Sequence, residues 1–183
     1  VTDTADPSCR VSLVIDDGLH QQTRARGPAP SGETIAGFVL DTEVIARAPV
    51  RFLVAGMGDA LATWFEAHSC SVTQSENACG GLSTMTGLSL ARLCYETLLQ
   101  HGVAARSAAE RQTVTPALEE IVEANILLSG IGFESGGLAS AHAIHNGLTV
   151  LEETHARFHG EKVAFGVLAG RMLARAAAAP GDT

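Results

Sequence analysis

Apolar side chains recur at helical spacing from about residue 49 onward. Between 49 and 68 the apolar positions form one stripe, made of Phe52, Leu53, Met57, Leu61, Trp64 and Phe65. A second stripe, made of Leu88, Ala91, Cys94, Tyr95 and Leu98, predicts a helix over about 83–100. Further helices are predicted over 105–128, 135–147 and 160–178, and Pro116 after Thr115 is typical of a first helical position.

The first 46 residues show a different pattern. Two short apolar runs at 11–15 (VSLVI) and 35–40 (IAGFVL) predict strands, and the proline- and glycine-rich segment 27–32 between them predicts a loop. Two strands make no stable sheet alone, so we expect the edge of a larger sheet here. The predicted fold is mainly α, with a short β remnant over 1–46 and a helical domain over 47–183.

Composition narrows the function classes. Hydrophobic residues make up 46% of the chain and aromatic residues only 4%, which favours close-packed helices over a β-sandwich. A net charge of −8 argues against a nucleic-acid partner, and the absence of an eighteen-residue apolar run argues against a membrane partner. We expect a soluble cytoplasmic protein whose four cysteines are free thiols, with a Cys70–Cys79 disulfide as the alternative.

Four of the seven histidines lie within eighteen residues, at positions 142, 145, 155 and 159. Histidine is a common metal ligand, so the cluster indicates a metal site, with scattered surface and core histidines as the alternative. His142 and His145 share one helix face, and His159 lies in the first turn of the last helix. Asp59 could supply a third, anionic ligand, but its local sequence favours a cap for a helix over 60–68.

The neighbours of the cluster have simpler interpretations. His145 is either a proton relay beside the ligands or a packed side chain, and His155 is interpreted as a solvated loop residue. Glu134 and Ser135 are expected to open the histidine-bearing helix as a polar start. Lys162 is interpreted as a solvated first-turn lysine.

Three long segments carry a specific resemblance. The strings GMGDALATWFEA (56–67), VTPALEEIVEANILLSGIGFESGGLASAHAIHNGL (114–148) and HGEKVAFG (159–166) resemble the glycerol dehydrogenases of the iron-containing (group III) alcohol dehydrogenase family. The resemblance implies metal ligands at Asp59, His142 and His159. Iron-using relatives carry a further histidine where this chain has Thr63, so the resemblance favours zinc. It further implies NAD as cofactor, a small polyol substrate such as glycerol, hydride transfer from a zinc-bound alkoxide, and a homo-oligomer at full length.

The sequence also departs from that family. The glycine-rich GGGK turn that cradles the NAD pyrophosphate does not occur in it. Asp6 stands near the position of a substrate-facing aspartate, but it directly precedes Pro7, whereas the family has one residue between them. Family members are about twice as long, so we expect the chain to lack most of the nucleotide-binding domain and the last helices, and to be inactive alone. The alternatives are a dehydrogenase for another vicinal diol or amino alcohol, and a non-catalytic metal-binding module.

Overall fold

The computed structural model describes residues 40–178, and every regular element among them is helical. Seven α-helices follow in order: α1 Thr42–Arg47, α2 Val50–Thr73, α3 Met85–Glu110, α4 Pro116–Glu123, α5 Ser129–Gly136, α6 Ser140–Leu148 and α7 His159–Ala178. A π-helical segment, Ala124–Leu128, joins α4 to α5, and a single 3-10 turn, Glu152–Thr154, lies between α6 and α7. The predicted mainly-α fold is confirmed.

Polar side chains begin several of these helices. The Asp41 side chain accepts a hydrogen bond from the backbone N–H of Glu43 at the start of α1. Thr84 accepts one from Gly87 at the start of α3, and Thr115 accepts one from Leu118 at the start of α4. Such caps satisfy amide groups that have no partner within the helix. Pro116 opens α4, as predicted.

Helix α2 is the centre of the bundle, since α3, α5 and α7 all pack against it. The larger core cluster lies among α1, α2, α3, α4 and the π-helical segment, and its fully buried side chains include Cys94, Leu118 and Ile121. A smaller cluster joins α2 to α6 and α7 through Ala62, Ala141, Val163 and Val167. Helices α6 and α7 are therefore attached to the bundle mainly through α2.

Two details of the predicted helices are wrong. Asp59 does not cap a helix, because α2 runs unbroken from Val50 to Thr73 and places Asp59 in its interior. The segment predicted as one helix over 135–147 is broken at 137–139, so Glu134 and Ser135 lie in the last turn of α5 and do not open the helix that carries the histidines. The break coincides with Gly137, whose φ of +99° ends α5.

Helix α1 packs against α3 and α4, with Ala46 buried in the larger core. The predicted strand at 11–15, all but the last residue of the predicted strand at 35–40, the loop at 27–32 and Asp6 lie outside the described residues. The division at 46/47 therefore stays a prediction. Cys70, Cys79 and Cys94 are free thiols, which excludes the Cys70–Cys79 disulfide. Among residues 40–178, no helix combines the length and apolar character needed to cross a bilayer.

Candidate metal centre

Three helices bring Asp59, His142 and His159 together. Asp59 projects from the middle of α2, His142 from the first turn of α6, and His159 is the first residue of α7. The Nε2 atoms of His142 and His159 lie 3.4 Å and 3.3 Å from the same carboxylate oxygen, Oδ1 of Asp59. One ligand atom from each residue lies within 4.8 Å of the other two. In the described part of the chain, no other set of three His, Cys, Asp or Glu residues meets this criterion for a metal site.

The three side chains are strongly coupled. Burial alone would raise the pKa of Asp59, but hydrogen bonds from His142 and His159 outweigh it and hold that pKa well below its ordinary value. Burial alone would lower the pKa of His142, yet its hydrogen bonds to Asp59 and Glu66 raise that pKa to about 9. Without a metal, the site therefore holds a proton between Asp59 and His142 at neutral pH.

The remaining ring nitrogens of both histidines have acceptors. His142 places Nδ1 2.6 Å from Oε2 of Glu66, and His159 places Nδ1 3.0 Å from Nε2 of His145. His145 in turn places Nδ1 3.1 Å from Oδ1 of Asn146, so it can donate there and accept from His159. Once a metal replaces the shared proton, each Nδ1 would keep its own proton and each Nε2 lone pair would face the Asp59 side.

This arrangement fits a divalent metal ion. Two imidazole nitrogens and one carboxylate oxygen form the donor set of many catalytic zinc sites, in which a fourth position stays open. The acceptors on Nδ1 fix the tautomer that leaves Nε2 available as a ligand. A cation between these atoms would take the place of the proton shared by Asp59 and His142.

The other histidines of the cluster separate into two kinds. His145 is only 4% exposed and contacts His159, which places it directly beside the proposed ligands. Burial and the neighbouring His159 charge lower the pKa of His145, so it is neutral at physiological pH. His155 is exposed and its Nε2 lies 3.0 Å from the carbonyl oxygen of Thr149, in agreement with a solvated loop position.

Glu66 is the residue of this site that the sequence did not reveal. It is 2% exposed, and its carboxylate accepts from the ring of His142 and from the backbone N–H groups of Ala139 and His142. The available signal was its position seven residues after Asp59, two helical turns along the same face of α2. A buried carboxylate on that face needs a hydrogen-bond donor, and the clustered histidines could supply one.

A separate cleft of about 390 Å³ lies beside the first turns of α7. Its walls are formed by the ends of the α6–α7 connection and by α7 itself: Leu148, Thr154, Arg157, Glu161, Lys162 and Phe165. Lys162 is half-buried there, in contrast to the solvated lysine expected from the sequence. None of the three candidate ligands lines this cleft, so it is distinct from the candidate metal centre.

Comparisons with known proteins support the resemblance. No protein-family model matches the chain. Glycerol dehydrogenase from Thermotoga maritima is 68% identical over 135 residues, and glycerol dehydrogenase from Citrobacter freundii is 65% identical over 135 residues. Each alignment covers 74% of this chain and 37% of the relative, so the chain spans little more than a third of the length of these relatives.

A solved structure gives the same result for the fold. The crystal structure of a probable glycerol dehydrogenase from Sinorhizobium meliloti 1021 matches with a TM-score of 0.74 and 52% identity. That match covers 75% of this chain and 39% of the solved one. Sequence and fold agree, and the chain is therefore a homologue of the glycerol dehydrogenases.

Proposed function

We propose that this chain forms the metal-binding helical part of an NAD-dependent glycerol dehydrogenase, which oxidises glycerol to dihydroxyacetone. The observation that carries the proposal is the approach of two Nε2 atoms, from separate helices, to one carboxylate oxygen of Asp59. The high identity to glycerol dehydrogenases supports the reaction class and the polyol substrate.

Zinc is the metal we propose for this site. Thr63 stands one helical turn after Asp59, where iron-using relatives carry a further histidine, and a threonine hydroxyl is a poor substitute for an imidazole ligand. Its hydroxyl is 2.9 Å from that of Ser129, and the side chain is 3% exposed, so it already has a buried partner. Three protein ligands remain, which matches catalytic zinc with an open position.

A zinc ion in this position supplies a Lewis acid that polarises an alcohol oxygen and favours loss of its proton. The protein groups prepare for this in distinct ways. Asp59 provides negative charge, which offsets the charge of a divalent cation. His145 accepts a hydrogen bond from Nδ1 of His159 and so keeps Nε2 of His159 directed into the site. A vicinal diol could bring two adjacent oxygens to the open side, while NAD accepts the hydride in the complete reaction.

Metal analysis of the purified chain tests the metal centre. We expect about one zinc ion per chain, and a loss of affinity in Asp59→Ala and His159→Ala that exceeds the roughly 100-fold cost of removing a supporting hydrogen bond. His155→Ala is the matched control, because His155 is exposed and outside the site. Zinc uptake that is unchanged in Asp59→Ala would disprove the assigned ligand set.

Steady-state rates test the substrate. NAD reduction is measured with glycerol, 1,2-propanediol and 1-amino-2-propanol, both for the 183-residue chain and for a version extended to the length of its relatives. We expect the largest kcat/KM with glycerol in the extended protein. A preference of more than tenfold for either of the other two substrates would transfer the proposal to another diol or to an amino alcohol.

A further inference from the structure

Glu66 is a buried carboxylate whose hydrogen bonds all go to the start of α6. One oxygen, Oε1, accepts from the backbone N–H groups of Ala139 and His142, each at 2.9 Å. The other oxygen, Oε2, lies 2.6 Å from Nδ1 of His142. A single side chain of α2 therefore contacts both the backbone and the ring of one proposed metal ligand.

The start of α6 has no cap of its own. Ala139 stands at the position before the helix, and its side chain has no oxygen to accept from the free amide groups of the first turn. Glu66 fills that role from 73 residues earlier in the chain, and its negative charge lies at the positive end of the α6 dipole. The orientation of α6 thus depends on α2, the helix that also carries Asp59.

The chain before α6 is fitted closely to α2 on the same side. Gly137 has a φ of +99°, and a Cβ atom there would lie 2.9 Å from Sγ of Cys70. The Cys70 thiol also donates to the carbonyl oxygen of Leu138. Contacts one turn after Glu66 therefore hold the turn in place, and Glu66 makes the last connection to His142.

We propose that Glu66 is a positioning residue, which sets both the tautomer and the direction of His142 so that Nε2 faces Asp59. This inference rests on the proposed metal centre and assigns a role outside its ligand set. A carboxylate can only accept, so it requires the proton of His142 on Nδ1 and leaves Nε2 as the ligand atom. A purely structural cap would need the two backbone hydrogen bonds and not the one to the ring.

The variant Glu66→Gln separates the two roles. A glutamine has one accepting oxygen and one donating nitrogen at nearly the same positions. If the glutamine oxygen still accepts from the two backbone N–H groups at the start of α6, the glutamine nitrogen faces Nδ1 of His142. A donor in that position favours the His142 tautomer with the proton on Nε2. The cap then survives while the ligand atom is blocked.

We expect Glu66→Gln to keep its helix content and to bind Zn²⁺ about 10- to 100-fold more weakly than the wild-type chain, measured by competition with a chelating dye. Glu120→Gln, an exposed change on α4, is the matched control and should bind as the wild type does. Equal affinity in Glu66→Gln and the wild type would overturn the inference. A wild-type chain that takes up no Zn²⁺ would instead overturn the metal centre itself.

The protonation state of His142 supplies a second measurement that needs no variant. Long-range ¹H–¹⁵N spectra of the zinc-loaded wild-type chain distinguish a protonated Nδ1 from a protonated Nε2. We expect the proton on Nδ1 and the metal on Nε2. The reverse assignment would overturn the role of Glu66 even if Glu66→Gln failed to fold.

Discussion

Gly166 lies where α7 crosses α6, and its replacement by alanine is the sharpest test of this packing. A Cβ atom at this position would lie 2.5 Å from the carbonyl oxygen of Ala141 and 2.9 Å from its Cα. The oxygen is about 0.9 Å inside the 3.4 Å at which ordinary contact begins. Both atoms belong to the backbone, so no rotation of a side chain relieves the clash and the two helices must separate.

The expected cost can be worked out from two opposing effects. Overpacking that shifts backbone typically costs about 1–3 kcal/mol. Replacing glycine by alanine inside a helix returns about 0.5–1 kcal/mol. The two ranges leave a net loss of about 0–2.5 kcal/mol of unfolding free energy for Gly166→Ala, with a midpoint of about 1.3 kcal/mol. For a chain of this size the midpoint corresponds to a Tm lower by roughly 3–5 °C.

The same separation should weaken the proposed metal centre. Ala141 precedes His142, and Gly166 lies two turns after His159, so moving α6 from α7 moves one proposed ligand from the other. Metal–ligand distances are expected to fall within about 0.2 Å of their standard values, so a displaced ligand binds less well. We expect a Zn²⁺ affinity lower by about tenfold, similar to the loss of one supporting contact.

Thermal unfolding with a chelator present isolates the packing cost, and a zinc titration measures the second effect. Gly130→Ala is the control, because Gly130 lies in α5 and no atom is within 4 Å of its added Cβ. That variant should be more stable by about 0.5–1 kcal/mol. A Gly166→Ala chain that matches or exceeds the wild type in both Tm and zinc affinity would refute the close crossing of α6 and α7.

Three more predictions concern protonation, the core and the thiols. Because His142 has a pKa of about 9 without metal, Zn²⁺ must displace its proton below that pH, and zinc affinity should rise about tenfold per pH unit from 6 to 8. Calorimetry in two buffers measures the released proton. A zinc affinity that does not change with pH would contradict the assignment. Leu118→Ala should cost about 2–5 kcal/mol in urea unfolding and leave zinc affinity unchanged, since Leu118 is buried in the larger core; a loss below about 1 kcal/mol would contradict that burial. Cys79 is exposed and should react at once with a thiol reagent. Burial raises the pKa of Cys94 to about 12, so Cys94 should react only when the chain unfolds. Equal reaction rates of the two thiols in the folded chain would disprove this difference in accessibility.

Local sequence signals predicted the elements whose ends are decided locally. The Thr115–Pro116 pair marked the start of α4 because a cap and a proline act within one turn. Asp59 was misplaced as a cap because its local setting, between glycine and alanine, is that of a helix start, and only the packing of α2 against its neighbours carries the helix through it.

The site was predictable where chemistry is carried by residue type, and not where it depends on tertiary contact. Clustered histidines indicate a metal by themselves, and the resemblance implied which of them act. Glu66 escaped notice because a glutamate on a helix is ordinary until it is buried, and its burial depends on a turn that arrives 73 residues later. The pairing of His145 with His159 depends in the same way on how α6 meets α7.

The division of the core into a large and a small cluster has a consequence for motion. Ala62, Ala141, Val163 and Val167 form the buried apolar cluster between α2 and the α6–α7 pair, and two of these side chains are alanines. Because this apolar cluster is small, we expect the pair to open as a cooperative unit while the larger core stays folded. The proposed metal centre spans this cluster, with Asp59 on one side and both histidines on the other. Bound zinc would therefore link α2 to α6 and α7 and oppose their separation. Zinc should then slow amide hydrogen exchange in α6 and α7 far more than in α3.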